Sequence, residues 1–174
     1  MNGLQLRLLR CMQDAEAPYL VIGGFAIRAL GIDRATVDLD IVTSTVDVHA
    51  AATYAALIMF DARFAGNFKP GQLALRDKRI VIPSQHGKEV DLLTSVGDFD
   101  FDDLAARKFV VQAKGIDIAF ASAADQLAIK RVSLAAVEKD IAAGVPAHKV
   151  KDAHAAREKD IRDITLLEGH LASA

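Results

Sequence analysis

Leu4, Leu8, Leu9 and Met12 recur at helical spacing over residues 4–16, and Pro18 stops that helix. Tyr19 to Ile22 reads as a short apolar strand broken by Gly23-Gly24, after which Phe25 to Leu30 predicts a helix ending at Gly31. From Arg34 to Val42 the chain alternates strictly. Arg34, Thr36, Asp38 and Asp40 fall on one face, and Val37, Leu39 and Ile41 on the other. Period-two alternation predicts a half-buried strand whose apolar face anchors the polar one. Thr45 to Met59 predicts a helix with Val46, Ala50, Leu57 and Ile58 turned inward.

The middle of the chain reads as β-rich. Gln72 to Leu75 and Arg79 to Ile82 predict strands flanking a turn at Asp77-Lys78, with Glu89 to Leu93 as the next strand. A helix starts near Leu104, capped by Asp102 or Asp103. Phe109 to Gln112 and Ile116 to Ala119 form a hairpin around Lys114-Gly115. Ser122-x-x-Asp125 then opens an Ala-rich helical tail, divided by Gly144-Val145-Pro146 into two long helices. The expected fold is α/β of the α+β kind: a mixed β-sheet core over residues 1–120, flanking helices, and a helical tail over 121–174 packed on it as one compact unit. Strands joined partly as hairpins exclude a regular βαβ sheet.

Composition narrows this picture only slightly. The chain has 174 residues, 52% of them hydrophobic, which suits one domain with a real core and excludes disorder. A net charge of −2 argues against coating nucleic acid through bulk electrostatics. A single cysteine, Cys11, excludes an internal disulfide and a thiolate-rich zinc site. The longest apolar stretch, residues 50–60, falls short of the roughly 20 residues of a membrane span, and the start of the chain lacks a signal-peptide pattern. A soluble cytoplasmic protein, without membrane contact, is expected.

The chemistry concentrates in residues 19–42. A glycine pair directly after a strand lets the backbone approach a phosphate, and the following helix offers its free N–H groups. Asp38 and Asp40 project from one strand face, where two carboxylates repel unless a cation lies between them. Oxygen-only ligands suit Mg²⁺. A third carboxylate on a neighbouring strand would complete a two-metal site; Asp91 is the first choice because Val90 and Leu92 alternate with it, and Glu89 is the reserve.

Gly23-Gly24, Arg34-x-Thr36-x-Asp38-x-Asp40 and a later strand Asp91 together resemble the nucleotidyltransferase superfamily that includes polymerase-beta-like enzymes. The pattern has the form seen in AbiEii-type abortive-infection toxins and related small bacterial nucleotidyltransferases. In the tail, Arg157-Glu158-Lys159-Asp160-Ile161-Arg162-Asp163 resembles the RxKDxxD signature of that branch. The resemblance implies Mg²⁺-dependent transfer of a nucleoside monophosphate from an NTP to a hydroxyl, with Mn²⁺ as a substitute ion. Asp38 and Asp40 would bind both ions, while Asp91 would bind one and help activate the acceptor. The acceptor would be an RNA end, a protein hydroxyl or a small molecule, and an antitoxin-like protein is the implied partner. Many relatives carry Ser directly after the glycine pair, whereas Phe25 stands here and leaves only backbone donors. The alternative is a degenerate member of the fold that binds nucleotide or a partner without turnover.

A helical wheel at 100° per residue places Lys130 with Leu127, Leu134 and Val137, and Arg157 and Asp160 with Ile164 and Leu167. Inward charges need partners or a cleft. Lys130 and Arg157 are therefore expected to cradle triphosphate oxygens, with Asp160 orienting one of them, unless the three form a salt bridge between the tail helices. Arg34 and Thr36 are assigned to the nucleotide with Gly23 and Gly24. Lys159 and Asp163 read as an i,i+4 pair on a solvated face. His86 remains a weak substrate contact. Two other readings fail: residues 98–103 lack the glycine of a calcium loop, and Gly23-Gly24 lacks the GxGxxG of a dinucleotide site.

Overall fold

The structure, a computed structural model, describes residues 1–66, 69–84 and 87–173. His86 lies outside them, and so does the side chain of Glu89. Helix α1 (Gly3–Asp14) starts with a reciprocal cap: Asn2 accepts from the Gln5 N–H, and Gln5 Oε1 accepts from the Asn2 N–H. Strand β1 (Tyr19–Ile22) runs straight into α2 (Gly23–Ala29), which therefore begins at the glycine pair and not at Phe25. Strand β2 (Leu39–Thr43) and helix α3 (Asp47–Phe60) follow.

Then come α4 (Pro70–Leu73), the hairpin of β3 (Arg79–Ser84) and β4 (Gly87–Leu93), α5 (Phe101–Ala106), and the hairpin of β5 (Phe109–Ala113) and β6 (Ile116–Phe120). The tail is α6 (Ala123–Ala143) and α7 (Val150–Ser173). The strands make one mixed sheet in the order β3-β4-β2-β1-β6-β5. Strands β1 and β2 pair antiparallel, whereas β2–β4 and β1–β6 pair parallel. The mixed α/β fold expected from the sequence is the one observed.

One sheet face carries Leu39, Ile41, Val90 and Leu92, all fully buried against Leu8, Leu9 and Met12 of α1 and Ala56 and Leu57 of α3. The other face carries Leu20, Ile22 and Val42 against Leu104 of α5 and Ile129 of α6. Phe25 packs in the first cluster, so it belongs to the core and not to a surface loop. Ile27, Leu127 and Leu167 form a third cluster that ties α2 to both tail helices. Ser122 caps α6 by accepting from the Asp125 N–H, as its position in the sequence predicts.

Four local readings change. The segment 34–38 is not strand. Strand β1 ends at Ile22, the partner of Asp40, and the chain turns into α2 at Gly23, so residues 34–38 lose their neighbour on that side. On the other side, the pairing of β2 with β4 starts only at Leu39 and Val90. Val37 is consequently 77% exposed instead of buried, and its carbonyl accepts from Gln5 Nε2 at 2.7 Å. Residues 72–73 belong to a helix because Pro70 presets its first turn and Gln72 Oε1 accepts from the Lys69 N–H. Asp100, not Asp102 or Asp103, caps α5. Val46 is exposed ahead of α3.

Candidate functional site

Asp40 and Asp91 are direct partners on the adjacent parallel strands β2 and β4. Both lie on the sheet face toward α5 and α6, because Leu39, Ile41, Val90 and Leu92 fill the other one. Gly23, the first residue of α2, sits against Asp40. Its φ is +67°, and a Cβ there would run into the Asp40 carboxylate. A Cβ on Gly24 would meet the Thr36 side chain at 2.6 Å. The glycine pair is thus needed to seat Asp40 and Thr36 against backbone. The Gly23 N–H, expected to face a phosphate, donates to Gln126 Oε1 of α6 at 2.9 Å.

Burial pushes the Asp40 carboxyl above its ordinary range, and the charges of Asp91 and Asp38 push the same way. The ammonium of Lys159, followed by that of Lys130, opposes the shift. Asp40, Gly23, Lys130, Lys159 and Asp160 line one cavity of about 500 Å³, closed on its apolar side by Val96, Ile129, Val132 and Ala136. Asp38, Arg34, Thr36 and Lys159 line a second cavity of about 400 Å³ with Arg162 and Asp163. Lys159 is common to both. The structure therefore places Lys159 at the carboxylates, although the wheel assigns it to a solvated face.

The tail charges are arranged differently from the wheel's expectation. Lys130 Nζ donates to Asp160 Oδ1 at 2.8 Å and lies 3.0 Å from Asp163 Oδ2. Ser133 Oγ donates to the other Asp160 oxygen at 2.7 Å. Asp163 is fully buried and accepts from Arg34 Nε at 2.6 Å, so it is no partner of Lys159 on a wet face. Burial works against the charge of Lys130, yet the hydrogen bond and charge of Asp160, with those of Asp163, outweigh it and raise the pKa. Burial likewise opposes ionisation of Asp163, but Arg34 and Lys130 prevail and lower its pKa. Lys130 and Asp160 thus form the salt bridge between tail helices, and Asp163 extends it to the core through Arg34. Arg157 leaves the group: it donates from Nε to Glu138 Oε1 at 2.9 Å, on an exposed part of the α6–α7 seam.

Thr36 packs on Gly24 and donates to the Asp38 carbonyl at 3.3 Å, so it shapes the loop that carries Asp38. Asp38, Asp40 and Asp91 supply only oxygen donors, the chemistry that Mg²⁺ takes. Two of them face each other in register, and burial, with the charges of Asp91 and Asp38 beside it, pushes Asp40 toward protonation, a tension a cation relieves. In chemistry the donor set fits a divalent ion. In arrangement, among the described residues, no three His, Cys, Asp or Glu side chains already converge as an ion cage. Arg79 of β3 bonds both oxygens of Asp91, from Nε at 3.1 Å and from Nη2 at 2.6 Å.

Sequence reasoning leaves out Arg79, Gln126, Lys159 and Asp163. Gln126 precedes Lys130 by four residues and Asp163 follows Asp160 by three, so helical spacing carried a signal for both. Nothing in the sequence pairs Arg79 with Asp91. Compared with known protein families and with curated proteins, the chain matches no family profile and no curated protein. No described helix is long and apolar enough to cross a membrane.

Proposed function

We propose that this protein transfers a nucleoside monophosphate from an NTP to a hydroxyl acceptor. The observation that carries this reading is the register pairing of Asp40 with Asp91, with Asp40 and Lys159 lining one cavity of about 500 Å³. The acceptor oxygen bonds to the α-phosphorus, the bond from that phosphorus to the β-phosphate oxygen breaks, and pyrophosphate leaves. Asp91 takes the proton of the acceptor hydroxyl. Asp38, Asp40 and Asp91 would hold Mg²⁺, or Mn²⁺ in its place; when bound, the ion offsets phosphate charge and lowers the acceptor pKa. Lys159, exposed and shared by both cavities, meets the β- and γ-phosphates. Lys130 is already matched by Asp160 and Asp163, so it supports the site by holding α6 to α7.

The test supplies each labelled NTP with Mg²⁺ and a cell extract and follows the label into RNA, protein or small molecules. The wild-type chain labels one fraction. Asp38→Ala combined with Asp40→Ala labels none while keeping its circular dichroism. Wild-type-like transfer by that double variant sinks the assignment.

A second reading, binding without turnover, is favoured by two contacts: the Gly23 N–H bonded to Gln126, and Asp91 bonded to Arg79. It requires that NTP raise the melting temperature while no fraction acquires label.

A further inference from the structure

The proposed chemistry needs the Asp91 carboxylate open to a cation and an acceptor, and Arg79 lies across it. On the antiparallel pair β3–β4, Arg79 stands opposite Leu93 and Asp91 opposite Val81, so the two are diagonal neighbours two positions apart on one sheet face. That spacing lets a long side chain reach across. The guanidinium grips both carboxylate oxygens, and the charge of Asp40 also acts on it. The two partners differ sharply in exposure. The Arg79 side chain is 49% exposed, whereas that of Asp91 is 9% exposed. Arg79 therefore lies at the rim over a buried carboxylate and can swing into water without opening the core.

We propose that Arg79 is a displaceable counter-ion, holding Asp91 in the metal-free protein and yielding it to a divalent cation. This rests on the nucleotidyltransferase reading. A single charge from Arg79 offsets the repulsion between Asp40 and Asp91 while no metal is bound. A divalent ion shared by the carboxylates supplies twice that charge at closer range, so it wins the exchange, but at an affinity reduced by the competition. Arg79 thus acts through Asp91 as a positioning residue and sets the metal concentration at which the site assembles.

Mn²⁺ titration of the full chain, followed by isothermal calorimetry, tests the competition. Arg79→Gln binds Mn²⁺ roughly three- to tenfold more tightly than wild type, the range expected for losing a half-exposed charged hydrogen-bonded pair. Arg79→Lys falls between the two, and Asp91→Asn binds more weakly than wild type. A second measurement uses the wild-type fold alone. The Arg79 Nε–H resonance, assigned by its loss in Arg79→Lys, is protected from solvent exchange without metal and loses that protection as Mg²⁺ is added. An Arg79 resonance unmoved by saturating Mg²⁺, or unchanged or weaker Mn²⁺ binding by folded Arg79→Gln, overturns the counter-ion role and leaves the transferase reading intact. Wild-type protein that binds no Mn²⁺ and transfers no label overturns both.

Discussion

Two aspartates in this protein respond to burial in opposite ways, and the difference lies in what faces each of them. Asp163 has no exposed surface, yet Arg34 at 2.6 Å and Lys130 at 3.0 Å keep it ionised. Asp40 is partly buried beside two other carboxylates, and its proton is held more tightly than in the unfolded chain. Between the ordinary value of 3.8 and the raised one, the folded state carries more of the Asp40 proton, so this group adds stability as pH falls. Asp163 does the reverse: its contribution is complete above 3.8 and is lost as pH falls through its lowered pKa. Thermal melts of the metal-free chain should therefore show Asp40→Asn as stable as wild type or more so at neutral pH, without the gain on mild acidification. Asp163→Asn leaves Arg34 without its carboxylate and Lys130 with Asp160 alone, and should lose about 3 kcal/mol in chemical denaturation.

At the scale of elements, helix α7 borders the candidate site on one edge and carries a fastening on another. Asp160 and Asp163 bind inward to Lys130 and Arg34, Lys159 borders the carboxylate cavities, and Arg157 reaches Glu138 on α6. A wheel drawn from the sequence ranks positions by angle around one axis. It cannot say that the partner helix α6 lies beside Arg157 while Asp40 of the interior strand β2 lies near Lys159. Substitution separates the two roles. Arg157→Ala removes an exposed pair worth at most about 1 kcal/mol and should leave NTP affinity unchanged. Lys159→Ala removes the cation proposed to meet the phosphates and, on that proposal, should weaken NTP binding about tenfold, as read by calorimetry with Mg²⁺ present.

Across the whole molecule, the tail is bound to the sheet domain by three different kinds of contact. Gln126 accepts from the Gly23 N–H, Asp163 bonds Arg34, and Ile27 packs with Leu127 and Leu167. Such a junction should make folding cooperative over the full chain. The protein offers a direct check, because it has no tryptophan and its two tyrosines, Tyr19 and Tyr54, both precede the tail. Tyrosine fluorescence thus reports the sheet domain, while helical circular dichroism draws heavily on α6 and α7, of 21 and 24 residues. Urea transitions followed by the two signals should coincide. Separate midpoints would mean that the tail unfolds as an independent unit.

The elements themselves were legible in the sequence wherever local chemistry decides them. Two short runs, 109–112 and 116–119, around Lys114-Gly115 marked the β5–β6 hairpin, and Ser122 marked the start of α6. Asp40 and Asp91 were legible as strand carboxylates flanked by buried apolar neighbours. The segment 34–38 alternates like a strand, yet a strand exists only where a neighbour supplies hydrogen bonds: β1 turns into α2 at Gly23, and the pairing of β2 with β4 starts only at Leu39. Arg79 was invisible for a related reason: which strand lies beside β4, and in what register, is a long-range property. By itself the sequence determined the mixed α/β class, the glycine pair and the carboxylates that define the candidate site. Only the tertiary structure decided which charges face them, Lys159 and Arg79 instead of Arg157. Periodicity records which way a side chain points from its own element, whereas pairing depends on what another element places in front of it.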